Sequence, residues 1–194
     1  MQFEVTKQIL LKAIASVNGA VEKKNTIPVL QNIKIEAKND KVMLSATDMD
    51  ILVTSTFEAD MKSGGATTVP AQMFFDIVRK IPDAAQIMLS QESPTLMQIK
   101  SGKSKYSLPC IEASEFPNLS EGELGEEVTV ESDKLAKMID KTRFAISNDE
   151  TRYYLNGLYL QAMKKDEGFE LRAVATDGHR LALSFLTANL YTDS

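Results

Sequence analysis

One cysteine and one histidine stand among 194 residues. Cys110 has no second cysteine to pair with, so no internal disulfide forms and a reducing, cytoplasmic setting is expected. One His and one Cys cannot make up a zinc constellation, and neither metal nor other cofactor is expected. No apolar run approaches the ~18 residues that span a bilayer, so no membrane role is expected. Met1-Gln2-Phe3-Glu4-Val5 lacks the basic region and long apolar core of a signal peptide and reads as a first strand. Neither GxxxxGK[ST] nor GxGxxG occurs, which removes the glycine-rich cradle for nucleotide phosphates. What is there is ordinary for a globular protein: 43% hydrophobic and 25% charged residues, enough for one or two domains. The net charge of −5 argues against a polyanionic partner only if charge is taken as an average over the chain.

Hydrophobic spacing predicts a unit of order β-α-β-β-β. After the opening strand, Ile9, Leu10, Ala13, Ile14 and Val17 recur at helical spacing across residues 6–21, with Thr6 as N-cap. A polar loop at 22–25 follows, and Pro28 marks entry to strand-like runs at 29–37, 41–46 and 51–59. The pattern then recurs. A short strand at 66–69 leads to a helix opened by Pro70 and running through Ile81, then to strands at 86–91, 96–101 and 104–111. Residues 121–127 hold four acids and two glycines and read as a linker. Beyond it a strand at 128–130 and a helix at 132–145 are expected.

This later stretch matches the first. At an offset of 125, Val5, Leu10, Lys12, Ile14, Ala20, Thr26 and Leu30 meet identical residues at Val130, Leu135, Lys137, Ile139, Ala145, Thr151 and Leu155. A four-residue insertion around 164–167 shifts the offset to 129, where Ala46-Thr47-Asp48 meets Ala175-Thr176-Asp177. A repeat of this length signals a duplicated domain: a complete first domain at 1–125 and the first half of a second at 126–194.

Duplication separates scaffold from specialisation. The Thr-Asp pair occurs in both copies, so Asp48 and Asp177 read as turn formers between alternating strands, here 170–175 and 180–185 in the second copy. The copies then part: Met49-Asp50-Ile51 faces Gly178-His179-Arg180, and Ile27-Pro28-Val29 faces Arg152-Tyr153-Tyr154. Those second-copy residues are either a solvated surface or binding groups displayed where the backbone turns. Leu155 and Leu181 read as core or as an apolar floor. A hydrolase built on Asp177 and His179 would need a nucleophile, but Ser184 stands roughly 13–17 Å along the strand from His179.

Charge divides by element. The predicted helices at 6–24, 70–80 and 132–143 carry ten basic and four acidic side chains, leaving −11 for the rest of the chain. Lys134, Lys137 and Lys141 share one helical stripe opposite Leu135 and Ile139. Such a stripe is either a plain solvated face or a positive side turned toward a polyanion, with contacts to phosphate and no base reading. A generic DNA-coating module would use the same charges.

The runs Arg152-Tyr153-Tyr154-Leu155-Asn156-Gly157 and Ala175-Thr176-Asp177-Gly178-His179-Arg180-Leu181-Ala182 closely resemble those of the bacterial sliding clamps, the beta subunits of DNA polymerase III. Gly65-Ala66-Thr67-Thr68-Val69-Pro70-Ala71, Phe74-Phe75-Asp76-Ile77 and Glu115-Phe116-Pro117-Asn118-Leu119 resemble the same family. The resemblance covers the whole chain. It implies an α+β clamp fold of duplicated units, with antiparallel sheets outside and helices lining an inner face. It implies a head-to-tail homodimeric ring that encircles duplex DNA without reading sequence, does no chemistry, and tethers the polymerase III catalytic subunit, the clamp loader and other motif-bearing partners.

Residue by residue, the resemblance implies a partner-peptide cleft at Leu155, Thr176, Gly178, His179, Arg180 and Leu181. Leu155 and Leu181 would form its apolar floor and His179 and Arg180 its polar rim. It implies DNA-facing charge at Lys24, with Lys12 and Lys137 as further candidates. The subunit contact falls on Lys103, Lys105, Tyr106 and Leu108, where lysines stand for the family's arginines and Tyr106 for a phenylalanine. Two features depart from the pattern: Asn148-Asp149 replaces a His-Gln pair, and Gln72-Met73 replaces a basic pair.

Overall fold

All the strand ladders are antiparallel, and each helix covers one face of the strands beside it. The computed structural model describes residues 1–21, 27–118, 129–165 and 168–188. The chain divides into two compact units, Met1–Ser120 and Glu121–Ser194. Unit 1 holds β1 (Gln2–Thr6), α1 (Lys7–Val17), β2 (Asn32–Lys38), β3 (Lys41–Thr47), β4 (Leu52–Glu58), β5 (Asp60–Ser63), β6 (Gly65–Pro70), α2 (Ala71–Lys80), β7 (Gln86–Ser93), β8 (Leu96–Ser101) and β9 (Ser104–Pro109). Its sheets run β5-β1-β7-β8-β9 and β4-β3-β2-β6. Unit 2 holds α3 (Ser132–Thr142) and a sheet of β10 (Tyr159–Lys164), β11 (Phe169–Thr176) and β12 (Leu181–Ala188), in that order.

One core fills unit 1. Phe3, Ile87, Leu89, Met97, Ile99 and Leu108 come from the first sheet, and Ile33, Ile35, Val42, Leu44 and Val69 from the second. Leu10, Ile14 and Val17 of α1 and Phe74 and Val78 of α2 close it. The alternation of buried and half-buried positions along β1 is the period-2 signature of a sheet with one covered face. Unit 2 uses alanine instead. Ala145, Ala175 and Ala182 form its buried cluster, and side chains that small let α3 approach the sheet closely.

Several boundaries differ from the sequence reading. The helix predicted to run to residue 21 is α1 to Val17 followed by a 3-10 turn, Asn18–Ala20. Thr6 caps it, its side chain accepting from the Ile9 N–H at 3.5 Å. The buried stripe of α1 is Lys7, Leu10, Ala13, Ile14 and Val17, so Ile9 stays exposed. Lys7 buries its stem and reaches Asp83 with Nζ at 2.7 Å. The strand expected from residue 29 starts at Asn32, because Pro28–Gln31 forms a 3-10 turn with Pro28 at its head. The helices expected to Ile81 and Ala145 close at Lys80 and Thr142, the latter passing into a 3-10 turn, Arg143–Ala145. Of the strand expected at 128–130, residue 128 lies outside the described residues; 129 and 130 have no ladder partner among them and form no strand. The 121–127 linker also lies outside the described residues. β5 and β10 were not expected; each is recruited by pairing, to β1 and β11 respectively.

The repeat is visible in strand register. Lys34 pairs with Ser45 across β2–β3, and Tyr159 with Val174 across β10–β11. Thr47 pairs with Leu52 in one unit and Thr176 with Leu181 in the other. The two offsets, 125 before the insertion and 129 after it, therefore meet across the β10–β11 connection. In unit 1 that connection is the tight pair Asn39-Asp40, both at positive φ (52° and 57°). In unit 2 it spans the four residues between Lys164 and Phe169.

Two measurements test this packing. Phe74 is fully buried, so Phe74→Ala should cost about 3–5 kcal/mol in urea unfolding of the chain. The hydrogen bond and charge of Lys7 hold the Asp83 carboxyl below its ordinary range. Its stabilising effect is present above the ordinary carboxylate pKa and is lost as pH falls through the depressed value. Carboxyl-carbon NMR should give Asp83 a midpoint below that of an unpaired aspartate, returning to the ordinary range in Lys7→Met.

Candidate functional site

The corner between β11 and β12 is built by one carboxylate. Asp177 Oδ1 accepts the backbone N–H groups of His179 and Arg180, both at 3.0 Å, and Oδ2 accepts Arg180 Nε at 2.9 Å. Thr176 Oγ1 accepts the Gly178 N–H at 3.1 Å and donates to the Arg180 carbonyl at 2.7 Å. The first copy repeats the frame: Asp48 Oδ1 accepts from the Asp50 and Ile51 N–H groups, and Thr47 Oγ1 from Met49 N–H. Even the torsion recurs, with φ of +85° at Met49 and +88° at Gly178. The shared Thr-Asp pair therefore forms the same turn in both units, and the side chains around it are what changed.

Glycine at 178 has a second cause besides its torsion. A Cβ built there would lie 3.1 Å from Arg152 Nη1, which donates to the Asp177 carbonyl at 3.2 Å. Arg152 Nε is in turn held by Asp149 Oδ2 at 2.9 Å. Asp149 Oδ1 also caps the 3-10 turn Glu150–Leu155, accepting from the Thr151 N–H at 3.0 Å and its hydroxyl at 2.6 Å. Arg152 thus ties that turn to the β11–β12 corner, and its non-helical φ/ψ of −112° and 52° puts a kink there. The sequence reading gave Asp149 no place in the site and offered Arg152 as a displayed group, not as a brace. The signal was present: a glycine appears where the first copy carries Met49, and an arginine where it carries Ile27.

Both acids are committed to structure. The Asp177 carboxyl is held below its usual range first by the His179 and Arg180 N–H groups, then by the charge and hydrogen bond of Arg180. The Asp149 carboxyl is lowered by the Thr151 hydroxyl, then by the Thr151 N–H and Arg152. Neither is poised to take a proton near neutral pH.

A depression of about 370 Å³ lies between the stretch from Tyr153 to Tyr159 and the end of β11. Leu155 and Thr176 line it, as do Tyr159 and Val174. Tyr153 and Tyr154 meet edge-on at 5.8 Å and stay exposed. Gly178, His179, Arg180 and Leu181 stand beside the depression and not in its lining. Leu181 is 66% exposed because strand alternation turns its neighbour Ala182 toward α3 and Leu181 away from it. The expected floor of two leucines is thus one leucine, Leu155, with Leu181 displayed at the open side. Arg180 is oriented as a rim: its guanidinium lies 5.5 Å from the centre of the exposed Phe144 ring while Nε bonds Asp177.

The other sequence-predicted residues fall elsewhere. Lys12 on α1 and Lys137 on α3 are exposed; Lys24 lies outside the described residues. The basic excess of the helices is smaller in effect than its count. Lys7, Arg79, Lys134 and Arg143 are held by Asp83, Asp76, Glu131 and Asp140. Lys12, Lys80, Lys137 and Lys141 show no such pair among the described residues. Lys103, in the turn before β9, and Lys105, on β9, are exposed, and Tyr106 is half-buried. Leu108 is fully buried in the core of its own unit and has no side chain to offer a partner, which corrects its expected interface role. Strand alternation is the cause: Ser107 and Pro109 face out where Leu108 faces in.

With this geometry in hand, comparison with known proteins is direct. The family described as DNA polymerase III beta subunit, N-terminal domain, matches residues 1–120, and the central domain of the same subunit matches residues 129–193. A beta sliding clamp of Caulobacter vibrioides is 44% identical over 190 residues, covering 97% of this chain and 51% of that protein. The beta sliding clamp of Escherichia coli K12 is 36% identical over 184 residues, covering 94% and 49%. The solved Caulobacter crescentus pol III beta superposes with a TM-score of 0.89 at 43% identity, over 97% of this chain and 51% of that one. A Bartonella birtlesii sliding clamp bound to griselimycin also gives 0.89, at 42% identity over 97% and 50%. The chain spans about half the length of the relatives it matches. Matched in both units, and sharing the antiparallel clamp fold of these structures, the chain belongs to the family of DNA polymerase III beta subunits, the bacterial sliding clamps.

Proposed function

We propose that this chain provides a complete first clamp domain, residues 1–125, and the first half of a second, 126–194, of a processivity clamp. In that reading the whole protein closes head to tail into a homodimeric ring around duplex DNA. It tethers the replicative polymerase, the clamp loader and other partners, and carries out no reaction. The observation that carries this reading is the contrast between the two copies of one corner. The turn torsion and the Thr and Asp side-chain bonds to the next three N–H groups are the same, while the second copy alone carries Gly178, His179 and Arg180 beside a depression lined by Leu155 and Thr176. A scaffold kept constant while its display changes supports a binding site. Saturation of the Asp177 carboxylate by structural donors speaks against a hydrolase.

Within this reading, a short peptide carrying Gln and an apolar Leu-Phe end lays its apolar side chains on Leu155 and toward Leu181. Arg180, beside the Phe144 ring, and His179 orient its polar end. Lys12 and Lys137 act as diffuse phosphate contacts, and Lys24 is assigned the same role by resemblance. Contacts of this kind have no base-specific minimum, so they hold the duplex without stopping it. Lys103 and Lys105, exposed at the β9 edge, meet acids of the neighbouring subunit, with Tyr106 beside them.

Two experiments test this on a protein of the relatives' full length carrying these residues. Loaded on circular duplex DNA, it should survive high salt and leave once the circle is cut; rapid loss from uncut circles would exclude topological holding. Arg180→Ala or Leu181→Ala should weaken binding of such a peptide by about 1–2 kcal/mol, roughly tenfold, with the sedimentation of the dimer unchanged. Unaltered affinity would remove both residues from the site.

A further inference from the structure

Two of the substitutions that separate the copies fall on one contact. Glycine stands at 178 where unit 1 carries Met49 at nearly the same φ, +88° against +85°, so torsion alone does not demand glycine. Arginine stands at 152 where unit 1 carries Ile27. The two changes are linked in space, since a Cβ at 178 would lie 3.1 Å from Arg152 Nη1. A glycine and an arginine in one copy thus take the place of a methionine and an isoleucine in the other.

Each of the two segments that meet here has its own lock. Asp149 Oδ1 closes the 3-10 turn Glu150–Leu155 through the Thr151 N–H and hydroxyl. Asp177 Oδ1 closes the corner through the His179 and Arg180 N–H groups. Neither lock uses Arg152. Its guanidinium runs between them instead, with Nε on Asp149 Oδ2 at 2.9 Å and Nη1 on the Asp177 carbonyl at 3.2 Å. Asp149 therefore serves twice, closing the turn with one oxygen and aiming the guanidinium with the other.

A planar guanidinium fixed at two of its nitrogens sets both the distance and the angle between the segments it joins. An ammonium on a flexible stem fixes neither. Because the turn and the corner are closed by their own carboxylates, what Arg152 adds is their placement relative to each other. Methionine at 178 would press on the guanidinium from the side, and the two hydrogen bonds leave it no room to yield without breaking.

We propose that Arg152 is a positioning residue of the partner site. It fixes the spacing between the segment that carries Tyr153, Tyr154 and Leu155 and the corner that carries His179, Arg180 and Leu181, and Gly178 is the glycine this bridge requires. The role rests on the reading of the depression as a peptide site and adds how that site keeps its shape before a peptide arrives. A short peptide gains affinity from a surface already in the bound arrangement, because less ordering remains to be completed on binding. Arg152 acts through the residues on either side of it, with Nε and Nη1 both committed inside the protein.

The bridge is tested first without peptide, on the 194-residue chain. Gly178→Met and Arg152→Ile should each lower the urea midpoint, and the double variant, which restores the pair held by unit 1, should lose less than the two single variants together. In Arg152→Ile the amide protons of Thr151, His179 and Arg180 should keep their protection from exchange, since their carboxylates are intact. The role in binding is then read on a protein of the relatives' full length carrying these residues, with the peptide bearing Gln and a Leu-Phe end. Arg152→Ile should weaken binding about tenfold, and Arg152→Lys should not restore it. Gly178→Ala should weaken binding roughly threefold beside arginine and by a smaller factor beside Arg152→Ile, where the bridge is already gone. Additive urea losses, rescue by lysine, or a peptide bound equally by the parent protein and Arg152→Ile would overturn this role alone. A parent protein that binds no such peptide would overturn the underlying reading, and this role with it.

Discussion

An aspartate carboxylate that accepts the N–H groups two and three residues ahead is the interaction on which the rest of this molecule's display depends. At Asp48 and again at Asp177 it stops one strand, turns the chain and starts the next in the same register. Because the carboxylate provides the turn, the side chains of the next three residues are left free to vary. Met49, Asp50 and Ile51 fill those places in one unit and Gly178, His179 and Arg180 in the other. A φ near +85° at the first of them favours glycine, and unit 1 tolerates methionine there. Unit 2 cannot tolerate a side chain there without displacing Arg152, which occupies the space and braces the corner from the side.

The second constraint is that a sheet has two faces and a helix covers one. In unit 1 the covered face builds a large core with both sheets and both helices contributing, and the other face is crossed by the chain that follows β9. In unit 2 the covered face is a small alanine cluster, and the opposite face presents Tyr159, Leu183 and Phe185. Several buried positions stay apolar in both copies, as at Ala20 and Ala145 or Ala46 and Ala175, while Val17 gives way to Thr142, whose hydroxyl donates to the Met138 carbonyl.

Charge follows a similar rule. Half of the described basic side chains on the three helices are neutralised by an acid, three of them one turn away on or next to the same helix and the fourth, Lys7, by Asp83. A count of lysines on a helix therefore overstates the field it projects. Exposed i,i+3 pairs contribute little stability, but they do take charge out of play for a distant polyanion. What remains at Lys12, Lys80, Lys137 and Lys141 is sparse; under the proposed function, sparse contacts would position a duplex without gripping it.

Periodicity and repetition made much of this legible in advance: α1, α2 and α3, ten of the twelve described strands, the four-residue insertion and the Thr-Asp turns were all readable from local spacing. Those features depend on neighbours in the chain, which a sequence displays directly. Tertiary structure alone decided that Lys7 is buried and Ile9 is not, that Leu108 belongs to its own core, and that β5 and β10 are strands at all. It also decided that Arg152 and Asp149, 25 or more residues from Asp177 along the chain, brace the corner. Each of these outcomes depends on what lies across a sheet or beneath a helix. Partners in space are set by the packing of distant segments, and no local pattern of residues records them.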